Sequence, residues 1–366
     1  PSPSVGGFGG VEYLYMTIIF FTRLFYPHIG GVEKHVLEIS KIIIKKGYKV
    51  TVIAEQHDQK LKLKDSIQGI EIYRIPVGKD DWFKKFRIWF KLWKYKNLIK
   101  TGDIIHCHDV FFWYLPFRFL YRNKPIYTTF HGYEGNNLPS KKAIFMHKIA
   151  EKLSKGNICI GDYLKKWYGT KPDFVTYGGV EVLSIKYKVL SINKEKKIKI
   201  VFVGRLEQET GIMEYLKALK ILKEKGYELH MDILGDGSRR GQAEKFCNAN
   251  KLDVCFKGFV DNIAGYLLES DFVFTSRYLG ILEAFANKKL VFALYNNEIK
   301  EDYLKMSSFA KHMIISKDDD SLALTFVNFI KDQQVKNRIL ERAFEWVKSQ
   351  SWDKVSRLYI DLWRRK

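Results

Sequence analysis

The stretch from 16 to 55 constrains the fold more than any other. MTIIFFTRLF (16–25) is an apolar run that reads as a buried strand, and the loop YPHIGG (26–31) follows it. VEKHVLEISKIIIKKG (32–47) then sets Val32, Val36, Ile39 and Ile43 at helical spacing, and Gly47 stops the helix. YKVTVIAE (48–55) is the next strand. A strand, a crossover helix and a second strand joined this tightly make a βαβ unit, so the sheet is parallel. Short apolar strands recur at GIEIYRIPV (69–77), DIIHCH (103–108), PIYTTFHG (125–132) and NICIG (157–161).

The rhythm breaks at 183–197, a polar, Lys-rich stretch without helical periodicity, and then restarts. KIVFVG (199–204) is a strand, GIMEYLKALKILKEKG (211–226) a helix, and ELHMDILGDG (228–237) a strand ending in a Gly turn. VCFKGFV (254–260), DFVFTS (271–276) and KLVFALY (289–295) are further strands. The expected class is α/β with two doubly wound, Rossmann-like domains. The expected division is a leader over 1–15, a first domain over 16–182, a linker over 183–197 and a second domain over 198–350. A last amphipathic helix over 351–366 completes it. The leader lacks the basic n-region of a secretory signal. No apolar run reaches the ~18 residues that span a bilayer.

Charge narrows the partners. The chain has 62 Lys and Arg against 41 Asp and Glu, a net of +21, with 8 Trp. That excess calls for an anionic partner: nucleic acid, an anionic membrane or a phosphorylated substrate. The four cysteines (107, 159, 247, 255) lack CxxC spacing, which argues against zinc and a disulfide framework and for a reducing cytoplasm.

Several stretches carry chemistry. Gly30 and Gly31 sit between the first strand and helix, where a Gly turn aims helix amides at an anion or simply tightens the chain. Arg205, in GRLEQETG (204–211), falls one residue past a strand, where open α/β sheets bind ligands. Its planar fork suits a phosphate, or it pairs with Glu207 or Glu209. Gly235, in GDG (235–237), closes a strand. Glu283 follows Gly280, Ile281 and Leu282 and either favours a helix dipole or accepts ribose hydroxyls. His106, His108 and His131 end two strands; HCH lacks further ligands at metal spacing, and His131 is the functional choice.

DDWFKKFRIWFKLWKYKNLIK (80–100) reads as one amphipathic helix. Trp82, Phe86, Trp89, Phe90 and Trp93 gather on one face, with Lys84, Arg87, Lys91 and Lys94 roughly opposite. From 82 to 100 there are seven basic residues and no acid. This composition suits a helix lying in a membrane interface, where each cation near an anionic leaflet contributes about 1 kcal/mol. WYLPFRFLYRNK (113–124) repeats it nearby. Packing on its own domain, or stacking on single-stranded nucleic acid, would use the same residues.

In order, YPHIGGVEKHVLEIS (26–40), DIIHCHD (103–109), VFVGRL (201–206), ILGDG (233–237), FKGFVDN (256–262) and SRYLGILEAFANKKLV (276–291) resemble the GT-B glycosyltransferases, in particular family four of the retaining sugar-nucleotide-dependent enzymes. The resemblance runs from about 16 to 366. It implies two Rossmann-like domains across a cleft, with a last helix crossing back to the first. It implies that Gly30 and Gly31 face the donor phosphates and acceptor, that His131 lies near the reacting sugar, that Arg205 neutralises the leaving diphosphate and that Glu283 holds the ribose. Gly235, Gly280, Ile281 and Leu282 would line the donor site. No cofactor or metal is implied; the donor would be a nucleotide sugar such as a UDP- or GDP-hexose, transferred with retention.

Two departures stand out. The family's Lys before the Gly is here Thr210, removing a contact worth ~2–3 kcal/mol, with Arg239 and Arg240 as candidate replacements. The loop before Glu283 is shortened, and the first of the family's two Glu is absent; Thr275 stands eight residues back. The leading expectation is a peripheral enzyme on the inner face of the cell membrane, transferring a hexose to a lipid-linked or glycan acceptor, with no nucleic-acid partner. A sugar-nucleotide epimerase of the same fold, and a degenerate lipid- or nucleic-acid-binding scaffold, are the alternatives.

Overall fold

The computed structural model describes residues 16–132, 138–182 and 197–365. The expected leader, and the expected linker apart from Lys197, lie outside the described residues. The first sheet has eight strands: β1 (Thr17–Phe21), β2 (Lys49–Glu55), β3 (Lys64–Ile67), β4 (Ile70–Ile75), β5 (Ile104–His108), β6 (Ile126–Phe130), β7 (Gly156–Ile160) and β8 (Phe174–Thr176). Their order is β3-β4-β2-β1-β5-β6-β7-β8, all parallel but for β3. The second sheet holds β9 (Ile198–Val203), β10 (Leu229–Leu234), β11 (Val254–Gly258), β12 (Phe272–Phe274), β13 (Leu290–Leu294) and β14 (Ile314–Ser316). Its order, β11-β10-β9-β12-β13-β14, is parallel throughout. The chain is therefore α/β with two doubly wound sheets, as the sequence predicts. The strand order reverses between β1 and β5 and between β9 and β12, which opens a crevice at each carboxyl edge.

The helices that matter below are α1 (Gly31–Lys45), α2 (Lys84–Trp93), α3 (Lys96–Thr101), α4 (Phe111–Leu120), α5 (Lys141–Leu153), α6 (Tyr163–Tyr168), α7 (Ile212–Glu224), α8 (Arg240–Ala249), α9 (Ile263–Glu269), α10 (Tyr278–Ala286), α11 (Glu298–Lys305), α12 (Asp319–Lys331), α13 (Gln333–Val347) and α14 (Trp352–Arg364). In α1 the stripe Val36, Ile39 and Ile43 is fully buried, as its spacing requires. Three strands carry no apolar run long enough to read from sequence. β3 pairs antiparallel with β4 through Gln68-Gly69, both at positive φ (52° and 83°), a turn whose twist matches a hairpin. β8 and β14 have three residues each.

The expected single helix over 80–100 is two. It breaks after Trp93, where the amide of Tyr95 bonds back to the Leu92 carbonyl (2.8 Å), and α3 begins at Lys96.

The last helix, α14, lies against α1 of the first domain. Trp352, Val355, Tyr359, Ile360, Leu362 and Trp363 are buried there. Burying a large apolar side chain contributes roughly 2–3 kcal/mol, so this stripe is a substantial part of the core between the domains. The crossover runs past 178–180, where the amide of Val180 donates to the Gln350 carbonyl (2.8 Å). Gly178, at φ 94°, lets Leu279 of α10 seat against the first domain; a Cβ there would stand 2.5 Å from its Cδ2.

Candidate functional site

Arg205 leaves the carboxyl end of β9, and its Nη2 donates to Glu209 Oε1 at 3.0 Å. Arg277 leaves the end of the neighbouring strand β12, and its Nη2 reaches the same oxygen at 3.2 Å. The two arginines thus flank the crevice between β9 and β12, tied by one carboxylate. Lys300, on α11, is buried close by; its ammonium donates to the Ser276 carbonyl and lies 4.4 Å from the ring centre of Tyr303. Burial, and then the charge of Arg277, hold its pKa well below the usual lysine value. Tyr163 of α6 closes this pocket from the first domain, with Glu209, Arg277, Asn297, Lys300 and Tyr303 along the other side.

Thr210 is buried and turned away from the crevice. Its hydroxyl shares a proton between the carbonyls of Arg205 and Glu207, both at 2.7 Å, and receives the Glu207 amide at 3.3 Å. It closes the turn that delivers α7. Neither expected replacement cation is available. Arg239 donates to Gln242 (2.7 Å) and Gln208 (3.0 Å), and Arg240 to Asp236 and Glu244 (both 2.8 Å). Gln242 and Glu244 belong to α8, Asp236 to the turn before it, and Gln208 to the turn before α7.

Gly235, at φ 148°, lies under the end of β9, and a Cβ would run into the Gly204 carbonyl. Its amide donates to the Gly258 carbonyl (2.7 Å). What it supplies is close packing of two strand ends. Gly280 packs as closely on Thr275, whose Oγ donates to the Val203 carbonyl (2.8 Å). Ile281 and Leu282 are fully buried, so their side chains cannot touch a donor. The resemblance sets them along the donor site; α10 turns their side chains into the core.

Glu283 faces the first domain, where Lys34 of α1 pairs with it. This contact places the start of α1 opposite the carboxylate. Gly30 caps α1 in an extended conformation, its site hemmed by the Glu33 carboxylate, while Gly31 faces open space.

Four histidines converge behind this cleft. The indole of Trp363 donates to His106 Nδ1 (3.0 Å), which puts the His106 proton on Nε2, facing Thr129 Oγ (2.8 Å). The Thr129 and Tyr359 hydroxyls stand 2.8 Å apart, and the Tyr359 hydroxyl lies 2.9 Å from His35 Nε2. Accepting the indole proton at Nδ1 requires a neutral His106 ring. Burial supplies that condition: it lowers His35 to about 3 and holds His106 well below the ordinary histidine range. His131 sits at the end of β6, its amide on Asp109 Oδ1 (2.9 Å) and its Nε2 2.8 Å from His108 Nδ1. His108 Nε2 is buried without a partner among the described residues. An orphaned lone pair is easier to bear than an orphaned N–H, which assigns the shared proton to His108 Nδ1. His131 then carries its own proton on Nδ1. Burial and its histidine neighbours keep His131 neutral as well. Among the described residues no cluster of His, Cys, Asp or Glu has the geometry to hold a metal ion.

Comparison with known proteins decides the family. The model for Glycosyltransferase Family 4 matches residues 29–175, and that for Glycosyl transferases group 1 matches 186–346, one on each sheet. The chain is a GT-B glycosyltransferase of the family 4 type. It is 22% identical over 247 residues to the phosphatidylinositol N-acetylglucosaminyltransferase GPI3 subunit of Saccharomyces cerevisiae, a match over 62% of this chain and 54% of that protein. The chain spans about half the length of that relative. It is 23% identical, over 95% of its own length and 98% of the other's, to an uncharacterized glycosyltransferase of Methanocaldococcus jannaschii. Among solved structures, sucrose-phosphate synthase from Thermosynechococcus elongatus superposes with a TM-score of 0.74 at 15% identity, covering 95% and 98% of the two chains.

The aromatic helix of this glycosyltransferase divides its residues in a way the helical wheel does not show. Trp82 and Phe90 are 76% and 71% exposed, and Phe86 and Trp93 are exposed beside them. Trp89 turns inward, and its indole donates to the Phe112 carbonyl (2.7 Å). Of the cations, Lys84 bridges Glu55 (3.1 Å) and Asp80 (3.6 Å), and Arg87 binds Asp81 (2.9 Å) and the Val77 carbonyl (2.9 Å). These two anchor α2 to its own domain. Lys94 is exposed and Lys91 half-buried. Among the described residues no helix is long and apolar enough to cross a membrane.

Sequence reasoning did not single out Arg277, Lys300 or Lys34. The position of Arg277 after a strand is the signal Arg205 also carries. Lys34 and Lys300 depend on how the domains and α11 pack, which no local pattern reports.

Proposed function

We propose that the enzyme transfers a hexose, with retention and without a metal, from a UDP- or GDP-type nucleotide sugar to a lipid-linked or other membrane-associated acceptor. The observation that carries this reading is the placement of Arg205 and Glu283 on one side of the interdomain cleft, with the start of α1 facing them. Arg205 suits a departing diphosphate, because a fixed cation in a water-poor crevice stabilises developing charge without reorganising. Glu283 has two oxygens to accept ribose hydroxyls. The acceptor oxygen bonds to the anomeric carbon on the face from which the diphosphate departs. The hydroxyl proton ends on the diphosphate, so charge and atoms balance. A neutral His131 donates from Nδ1 towards a sugar hydroxyl.

The exposed aromatics of α2, with Phe83, Phe119 and Leu120 also exposed, support contact with a bilayer. Lys85, Lys94 and Lys96 around them favour an anionic leaflet, which would hold the enzyme peripherally on the cytoplasmic face. The sequence relative whose name includes phosphatidylinositol agrees with a lipid acceptor. Incubation with a panel of sugar nucleotides and a lipid extract should release a nucleoside diphosphate. Absence of release and of donor binding across the whole panel would sink the proposal.

A further inference from the structure

The crevice between β9 and β12 holds a second arginine that neither the sequence reading nor any relative's name assigns. We propose that Arg277 and Arg205 together grip the diphosphate of the nucleotide donor, Glu209 holding the two guanidiniums in place until the donor arrives. The inference rests on the glycosyltransferase reading and names which residues of this chain bind its substrate.

Charge and geometry carry it. Arg205 with Glu209 alone is a neutral pair and offers little to a group bearing two or three negative charges. Arg277 gives the triad a net positive charge. Both Nη2 atoms meet one oxygen, at 3.0 and 3.2 Å, so they stand within about 6 Å of each other. Two guanidinium forks at that spacing can each take one phosphate. They leave the carboxyl ends of adjacent parallel strands at the point where strand order reverses, where α/β sheets place their ligands.

The other cations do not fit. The place that a lysine would fill is Thr210, buried and bonded into its turn. Arg240 is paired within α8 and the turn before it, to Glu244 and Asp236, and Arg239 is bonded to the side-chain amides of Gln242 and Gln208. Lys300 lines the same pocket, but its ammonium is bonded to the Ser276 carbonyl and burial disfavours its charge, so it is a poor grip for a diphosphate.

Calorimetric titration with UDP, GDP and ADP, and with the matching nucleoside monophosphates, tests this. The readout is the ratio of diphosphate to monophosphate affinity, which a purely structural arginine would not move. Arg277→Gln should weaken the preferred diphosphate by about 30-fold and the monophosphate by less than about 3-fold. Arg277→Lys should lie between, keeping charge but losing the fork. A ratio within twofold of native in folded Arg277→Gln overturns the proposal. If that variant does not fold, an unchanged ratio in Arg277→Lys overturns it equally. A native protein that binds none of the diphosphates overturns the proposed nucleotide-sugar donor and this inference with it. Native binding with an unmoved ratio sinks the Arg277 assignment alone.

Discussion

Thr210 shows what one residue discloses and withholds. That a threonine stands where a cation is expected is visible in the string. That its hydroxyl closes the turn before α7 is visible only in the fold, because the carbonyls it serves belong to Arg205 and Glu207. Thr210 and Glu283 each give a prediction at this scale. Thr210→Val should lower stability by about 1–2 kcal/mol, read as a lower thermal midpoint, and leave nucleotide affinity nearly unchanged. Glu283→Gln should weaken nucleoside binding at least about tenfold with the fold intact, since a neutral amide is a poorer partner for two hydroxyls. Equal nucleoside affinity in that variant would remove the ribose assignment. Ile281 and Leu282 show the limit of sequence adjacency: they neighbour Glu283 in the chain, yet on α10 a rotation of one residue separates cleft from core.

At the scale of an element, α2 was readable as amphipathic but not as anchored. Its periodicity places the aromatics outward, and Phe86, Phe90 and Trp93 are exposed. The pattern could not report that Lys84 and Arg87 find acceptors at Glu55 and Asp81, which lie on β2 and in the preceding loop. Nor could it report that Ile88 and Leu92 are the buried stripe. The consequences separate in experiment. Replacing Phe90 and Trp93 by Ala should cut pelleting with phosphatidylglycerol vesicles about tenfold without lowering the thermal midpoint. Lys84→Ala should do the reverse, destabilising the protein because Glu55 loses its cation in a nearly buried setting. Pelleting unaffected by the double aromatic change would remove α2 from any membrane role.

Across the whole molecule, the two doubly wound sheets were legible because strand and helix periods alternate cleanly in α1, β2, α7 and β10. β3, β8 and β14 were not, being too short or too polar to register. The histidine assembly between the domains was least legible, since its members come from α1, β5, β6 and α14. It carries a pH dependence. A neutral buried histidine keeps its contribution to stability above its unfolded value of 6.5 and loses it as pH falls from there towards the folded value, about 3 for His35. The loss is about 2 kcal/mol at pH 5 for such a group. The thermal midpoint should therefore drop steeply between pH 6.5 and 5, and His35→Gln should flatten the drop; a midpoint level over that interval would contradict the neutral assignment. The same assembly bears on synthesis. His106 and its donor Trp363 lie 257 residues apart, so the core of the first domain waits for the last helix. While a ribosome builds the second domain, the surface of α1 that α14 will cover stays open, and the order of manufacture reverses the order of completion: the domain made first is finished last.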